Sequence, residues 1–280
     1  MRAVVSLCAT LAVFATALQL SAQQAPQTTR PPVRRAAPAP PKPAAPKPAP
    51  APRKEAAVPF RVGESLTFDV AWSNYLVAGT ATSRVVEKRQ ASYNSTAYYL
   101  VAEGRPIPLV ARFYPVYYKM DALLDSFTTL SQRTSLYTEE GNRKIYEATE
   151  FNRTSDRAQY EQQYQATLQF PIPKNVQDGL STLYVLRTMP LKPGYSVTVP
   201  VADSGLLYNV KFDVGTPAPL KVPIGQIEAW PLRVAITDMA GQAAGQNVGA
   251  WISTDARRLP LKLQADLPVG NFALALRSAQ

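Results

Sequence analysis

The 280-residue chain contains no histidine and a single cysteine, Cys8. Without imidazole there is no Ser-His-Asp triad, no Cys-His dyad and no histidine metal site. One cysteine excludes an intrachain disulfide and a thiolate cluster. Also missing are the clustered Asp and Asn with a tight glycine that a calcium loop needs. No phosphate loop or dinucleotide fingerprint occurs. The composition therefore points away from an enzyme and calls for no cofactor or metal.

What the chain does have is proline, basic charge and aromatic side chains: 26 Pro, a net charge of +10, and 14 Tyr, 9 Phe and 3 Trp. The charge is unevenly placed. Residues 1–58 carry net +7 and the remaining 222 residues only +3. The basic excess thus belongs to a linker, and a nucleic-acid partner is not expected.

Residues 1–22 read as a secretory signal peptide: Arg2 is a minimal positive region, Ala3 to Leu18 is almost uniformly apolar, and Ala15-Thr16-Ala17 and Leu20-Ser21-Ala22 are candidate cleavage sites. The alternative is an uncleaved signal anchor in an inner membrane, for which the apolar run falls short of the ~20 residues of a span. Leu7 stands where a lipoprotein box at Cys8 needs a small residue. Residues 23–59 read as a disordered linker rich in Pro, Ala and Lys, with 12 prolines from Pro26 to Pro59. Proline lacks the amide donor and fixes φ, so this stem favours polyproline II, a semi-rigid spacer of ~3.1 Å per residue.

From Phe60 apolar alternation begins, and residues 60–278 are expected to form a single β-rich domain. Leu66, Phe68, Val70 and Trp72 alternate with Thr67, Asp69 and Ala71, the period of a half-buried strand. Similar runs recur to the C-terminus, separated by turn signals such as Glu139-Glu140-Gly141-Asn142. Arg105 to Tyr114 is Pro-bounded and suits one helical turn. About twelve strands are expected, in a strongly curved antiparallel sheet or open barrel, because so many strands curl, split or close; a two-sheet sandwich is the alternative. One longer helix is expected over 178–189, capped by Asp178 and stopped by Pro190 and Pro193-Gly194. Leu180, Leu183, Tyr184 and Arg187 share one of its faces, and it is expected against the concave side of the sheet.

Candidate chemistry is thin. Glu139-Glu140 belongs to a turn, Asp121 and Asp125 to a strand, and Asp255 with Arg257-Arg258 to a turn it organises. Asp178 with Ser181 is explained by helix capping, since no base is present to activate the hydroxyl. The aromatic residues offer the remaining site: Trp72, Tyr99, Tyr118 and Tyr184 are expected to face a ligand on the concave surface.

Three stretches resemble one family when taken together: Phe60-Arg-Val-Gly63-Glu64-Ser-Leu66-Thr-Phe68-Asp-Val-Ala-Trp72 followed by Ala78-Gly79-Thr80-Ala81; Val176-Gln-Asp178-Gly-Leu180-Ser181-Thr-Leu183-Tyr184-Val-Leu186-Arg187; and Gly249-Ala-Trp251-Ile252-Ser253-Thr-Asp255-Ala-Arg257-Arg258-Leu259-Pro260-Leu261. In this order they are similar to the bacterial exported family called domain of unknown function 3108, over residues 60 to 278. The resemblance implies a curved-sheet envelope protein and supplies no catalytic residues. The expected role is a non-enzymatic periplasmic or envelope module holding a lipid, a glycan or an envelope protein. It would be membrane-proximal without spanning the bilayer after cleavage. A structural scaffold on a tether, or a carboxylate-dependent glycan hydrolase, are the alternatives. The hydrolase requires two acids ~5–10 Å apart in a cleft.

Overall fold

The computed structural model describes residues 54–72, 76–91, 95–267 and 270–280. The leader and the linker up to residue 53 lie outside the described residues. Among the described residues the compact unit runs from Glu55 to Gln280, and the Glu55 carboxylate accepts from Lys88 Nζ at 2.5 Å and Ser126 Oγ at 3.0 Å.

Among the described residues there are fifteen strands in one antiparallel sheet: β1 (Ser65–Trp72), β2 (Leu76–Ala91), β3 (Ser95–Pro106), β4 (Val116–Asp125), β5 (Ser131–Glu140), β6 (Arg143–Asn152), β7 (Arg157–Gln162), β8 (Leu168–Pro171), β9 (Ser196–Asp203), β10 (Leu206–Val214), β11 (Ala218–Val222), β12 (Gly225–Asp238), β13 (Gln246–Ser253), β14 (Pro260–Leu267) and β15 (Gly270–Ala279). Two helices accompany them, α1 (Pro108–Ala111) and α2 (Gly179–Thr188). The sheet order runs β8 to β1 in sequence, passes to β15 through the β1–β15 pair, and continues through β14, β13, β12 and β10 to β9. The first and last strands thus join two meanders into one surface. The expected mainly β, curved and unclosed antiparallel sheet is what forms, with more strands than the dozen anticipated. Two causes account for part of the surplus. The stretch from Arg157 to Phe170 folds as two strands around a turn in which Tyr164 takes a left-handed φ of 66°, and β11 is short and off the main path. In the opposite sense, β12 runs unbroken through Pro231. That residue falls where the strand's outer neighbour changes from β11, ending at Ala229, to β10, starting at Leu232, so no ladder bond needs its missing amide.

The sheet curls until its ends meet. Ser204, in the β9–β10 turn, donates its hydroxyl to Glu147 of β6 at 3.0 Å. Phe151, Ala158, Ile172, Val176 and Ala202 form one buried cluster across the gap. Between the edges, Gln177 pairs its backbone with β9, donating to Pro200 O at 2.9 Å and accepting from Ala202 N at 2.8 Å. Its side-chain oxygen accepts from the Ser131 amide and hydroxyl at the start of β5. One residue therefore bridges two halves of the sheet that share no ladder of their own.

α2 lies inside this curl. A surface helix shows one apolar stripe, whereas a helix surrounded by protein is buried all round. Leu180, Ser181, Thr182, Tyr184, Val185, Leu186 and Arg187 are all buried. Leu180, Tyr184 and Val185 pack with Val85, Leu100, Met120 and Leu124 of β2–β4, while Leu186 joins Val199, Phe212, Ile236 and Ile252 of the other half. A third cluster, with Leu66, Phe68 and Leu276, is covered by Val222 of the β11–β12 hairpin.

Because the strands alternate in direction, the connections fall on two rims. Glu55, the α2 segment and the β13–β14 turn share one rim, here called proximal. The β3–β4, β5–β6, β7–β8, β9–β10 and β12–β13 connections share the distal rim. Near the latter, β2 and β3 approach so closely at Gly79 that a Cβ there would stand 2.6 Å from the Arg105 carbonyl oxygen. Gly79→Ala is expected to destabilise the fold by about 1–3 kcal/mol through this backbone clash, measured by urea unfolding; stability unchanged within error would show that the two strands can part at no cost.

Candidate functional site

The polar interior is built around the two ends of α2. At its C-terminal end Arg187 is fully buried. Its Nη1 and Nη2 donate to the two oxygens of Glu64 at 2.6 and 2.9 Å. Nη2 also donates to Arg257 O and Nε to Arg258 O, each at 3.0 Å. Phe60 and Tyr184 stand on the guanidinium, each ring centroid 5.4 Å from its central carbon. The two carbonyls face inward because the β13–β14 turn is closed on itself. Asp255 accepts from the Ser253 hydroxyl at 2.6 Å and the Arg258 amide at 3.2 Å, and Arg258 adopts a left-handed φ of 48°. Asp255 thus organises its turn, and the turn presents acceptors to an arginine 70 residues away in sequence. A planar fork of fixed donors is suited to such a nest in a way a lysine ammonium is not.

The N-terminal end of α2 opens on a cavity of about 20 Å³ lined by Thr134, Glu147, Thr149, Tyr160, Asp178 and Asp203, among others. Asp178 is the N-cap, its Oδ1 accepting from the Ser181 amide at 2.9 Å. Its Oδ2 and the Ser181 hydroxyl are buried with no hydrogen-bond partner among the described residues. Burial pushes the Asp178 carboxyl above the usual range. Asp203 is pushed up to about 7, first by burial and then by the charges of Glu147 and Asp178. Tyr160 is raised by burial and by Glu147 and Asp203. The nearby Arg153 is lowered to about 10 by burial, and its guanidinium ties Val176 O at 3.0 Å and Ser131 O into the same seam. Acids do converge here, as a glycan hydrolase would require, but the space suits a water molecule or two rather than a sugar ring. Among the described residues no group of three or more acidic, His or Cys side chains is placed to hold a metal ion.

The four aromatic residues expected on a ligand are not gathered in one cavity. Tyr184 is buried in α2, its hydroxyl 2.8 Å from Ser83 Oγ. Tyr118 is buried towards the distal end of β4 and donates to Glu140 at 2.9 Å. Trp72 ends β1 at the distal rim, stacked on Phe272 at 6.2 Å. Tyr99 points out of the curl, under the guanidinium of Arg89 at 3.5 Å; its neighbour Tyr98 is the inward residue, packed on Phe60. Sequence reasoning missed the buried Glu64 and the half-buried Glu147 and Asp203 that line the cavity. A basic residue on the apolar face of α2 was the one readable sign of a buried ion pair, because such a residue needs an acid partner.

The sequence profile of the protein family of unknown function DUF3108 matches residues 67–277. No curated protein matches the chain. Among solved structures, the chain is similar to a beta-barrel-like protein of domain of unknown function DUF1849 from Brucella abortus, at 8% identity and a TM-score of 0.48, over 78% of this chain and 97% of that one. It is also similar to a candidate exported protein with a YmcC-like fold from Bacteroides fragilis, at 9% identity and a TM-score of 0.33, over 80% and 98% of the two chains. A candidate lipoprotein from Parabacteroides distasonis gives 6% identity and a TM-score of 0.32, over 81% and 100%.

Proposed function

For this chain, which belongs to the DUF3108 family of proteins of unknown function, we propose a non-catalytic role as an exported envelope module that works through its surface. The observation that carries this reading is α2, which occupies the space where a carrier would hold its cargo and is buried on every side. Its ends are fixed by Arg187 on Glu64 and by the Asp178 amide, which donates to Ser131 Oγ of β5 at 2.9 Å. Export is supported by the apolar run from Ala3 to Leu18 behind Arg2, and by the placement of the lone cysteine within it. The proline-rich stretch supports a tether that holds the β-body at a distance from its anchor or partner. No helix among the described residues is long and apolar enough to cross a membrane.

Two measurements test this. In a bacterial host the full chain is expected to be protected from protease in intact cells and degraded once the outer membrane is permeabilised; retention in the cytosol would overturn export. Native mass spectrometry of protein purified from the envelope is expected to show the bare mass of the chain. A lipid or glycan that co-purifies in fixed stoichiometry and is lost on enlarging a residue facing α2, as in Ala122→Leu, would restore a carrier.

A further inference from the structure

The distal rim carries a feature that interior packing does not account for. α1 is a helical turn of sequence Pro-Leu-Val-Ala with no buried residue. Leu109 is 62% exposed, Phe113 74% and Tyr114 57%. These side chains stand on a hydrogen-bonded backbone: Ile107 N donates to Ala78 O at 2.9 Å, and the amides of Phe113 and Tyr114 donate to Val110 O at 3.0 and 2.9 Å. The β5–β6 turn is joined to this knuckle, with Gly141 N donating to Pro115 O at 3.0 Å. Arg105, Arg112 and Arg143 are exposed around it. Of the acids in the same sector, Glu139 lies 3.2 Å from Lys144 Nζ and Glu103 2.9 Å from Arg84 Nη2, while Glu140, which accepts from the neutral Tyr118 hydroxyl at 2.9 Å, sets one negative charge against the three arginines. The sector therefore presents three apolar or aromatic tips within a surround of net positive charge, at the rim opposite the one that holds Glu55.

We propose that this rim docks on the surface of an anionic phospholipid bilayer. Leu109 and Phe113 enter the boundary between headgroups and acyl chains, Tyr114 lies at headgroup level, and Arg105, Arg112 and Arg143 face the phosphates. Two arguments select a bilayer over a protein. Side chains that project from a turn with nothing buried beneath them fit a deformable apolar phase, whereas a protein partner would have to offer a matching pocket. The pairing of aromatic tips with arginines complements an apolar layer lying under a negatively charged one. The proposal deepens the surface-acting role given above, in naming what the surface meets, but its test uses purified protein and does not depend on export.

The test uses the full stem-bearing chain, because the basic stem itself attracts anionic vesicles and has to be separated from the rim. Vesicles of phosphatidylglycerol and phosphatidylethanolamine are the probe, with phosphatidylcholine vesicles for comparison. Co-sedimentation is expected with the former and weak binding with the latter. Leu109→Asn combined with Phe113→Asn leaves the charge unchanged and removes the apolar tips; it is expected to weaken binding tenfold or more, with the thermal unfolding midpoint unaltered. Arg112→Glu is expected to weaken it about fivefold or more. In Phe113→Trp, the added indole is expected to shift its emission to the blue on the anionic vesicles and to be quenched by brominated phosphatidylglycerol. Absence of binding overturns the proposal, as does binding that survives the double substitution with no quenching at position 113, since the stem would then be the ligand of the lipid. A photocrosslinker at position 113 that captures one envelope protein in cells, without quenching by brominated lipid in vesicles, would also overturn it and assign the rim to a protein.

Discussion

Replacing Arg187 by Met is expected to lower the stability of the fold by about 3–5 kcal/mol. The substitution removes no large volume, so the loss comes from what it leaves behind. Glu64, 4% exposed at its side chain, would keep a charge with no partner, and the carbonyls of Arg257 and Arg258 would lose their donors. For a domain of this size such a loss corresponds to a fall of roughly 6–20 °C in the unfolding midpoint. Arg187→Lys is expected to recover part of it, because a lysine restores the charge without the fork that reaches the carboxylate and the turn together. Glu64→Met in the Arg187→Met background is expected to cost far less than the single changes added, since no buried charge remains. Urea unfolding of the four proteins measures the coupling. Additive effects would mean that Arg187 and Glu64 are stabilised independently, and the pair would not be what fixes α2 within the sheet.

This pair also ties together the three stretches by which the family was readable in sequence. Phe60 and Glu64 lie in the first, Tyr184 and Arg187 in the second, and Arg257 and Arg258 in the third. None of the three is distinctive by itself. They converge because one guanidinium takes its acceptors from Glu64, the residue before β1, and from the turn before the last hairpin, which ties the helix to both ends of the domain.

Period and punctuation made much of this fold legible. The alternation of Leu66, Phe68 and Val70 gave β1 its inward face, and Asp178 with the following apolar spacing gave α2 to within a residue. What could not be read was what lies opposite what. Tyr98 and Tyr99 are equally aromatic, and only the register of β3 against β2 and β4 decides which faces inward; a shift of one residue exchanges them. The acids were harder still. Asp203 closes β9 and Glu147 sits in mid-β6, 56 residues apart, and nothing local marks either as interior. Their meeting follows from the curl that brings β9 and β10 against β6 and β7, a property of the whole sheet. The distal knuckle was readable as a Pro-bounded helical turn, but its exposure was not, because an apolar turn reads the same whether it is covered or bare.

Asp203 yields the second large effect, and its sign opposes the usual behaviour of carboxylates. Its pKa is about 7 in the fold against an ordinary 3.8, so the folded chain holds a proton that the unfolded chain has released between those values. Stability therefore falls as pH rises from about 4 towards 7, with a slope approaching 1.4 kcal/mol per pH unit, and levels off above about 7. The whole effect is roughly 2–4 kcal/mol, and above pH 7 it leaves a charged Asp203 facing Glu147 and Asp178 across the seam where the sheet ends meet. Asp203→Asn keeps the shape and cannot ionise. It is expected to be more stable than the parent at pH 8 by roughly that amount, at pH 5 by only about 1–2 kcal/mol, and to flatten most of the slope between, the remainder belonging to Asp178, which is raised by burial in the same sense. Urea unfolding at pH 5, 6.5 and 8 decides the matter. A parent whose stability rises over this range, or an Asn variant that keeps the parent's slope, would show that Asp203 is ionised throughout and that the seam closes around a charge instead of a neutral carboxyl.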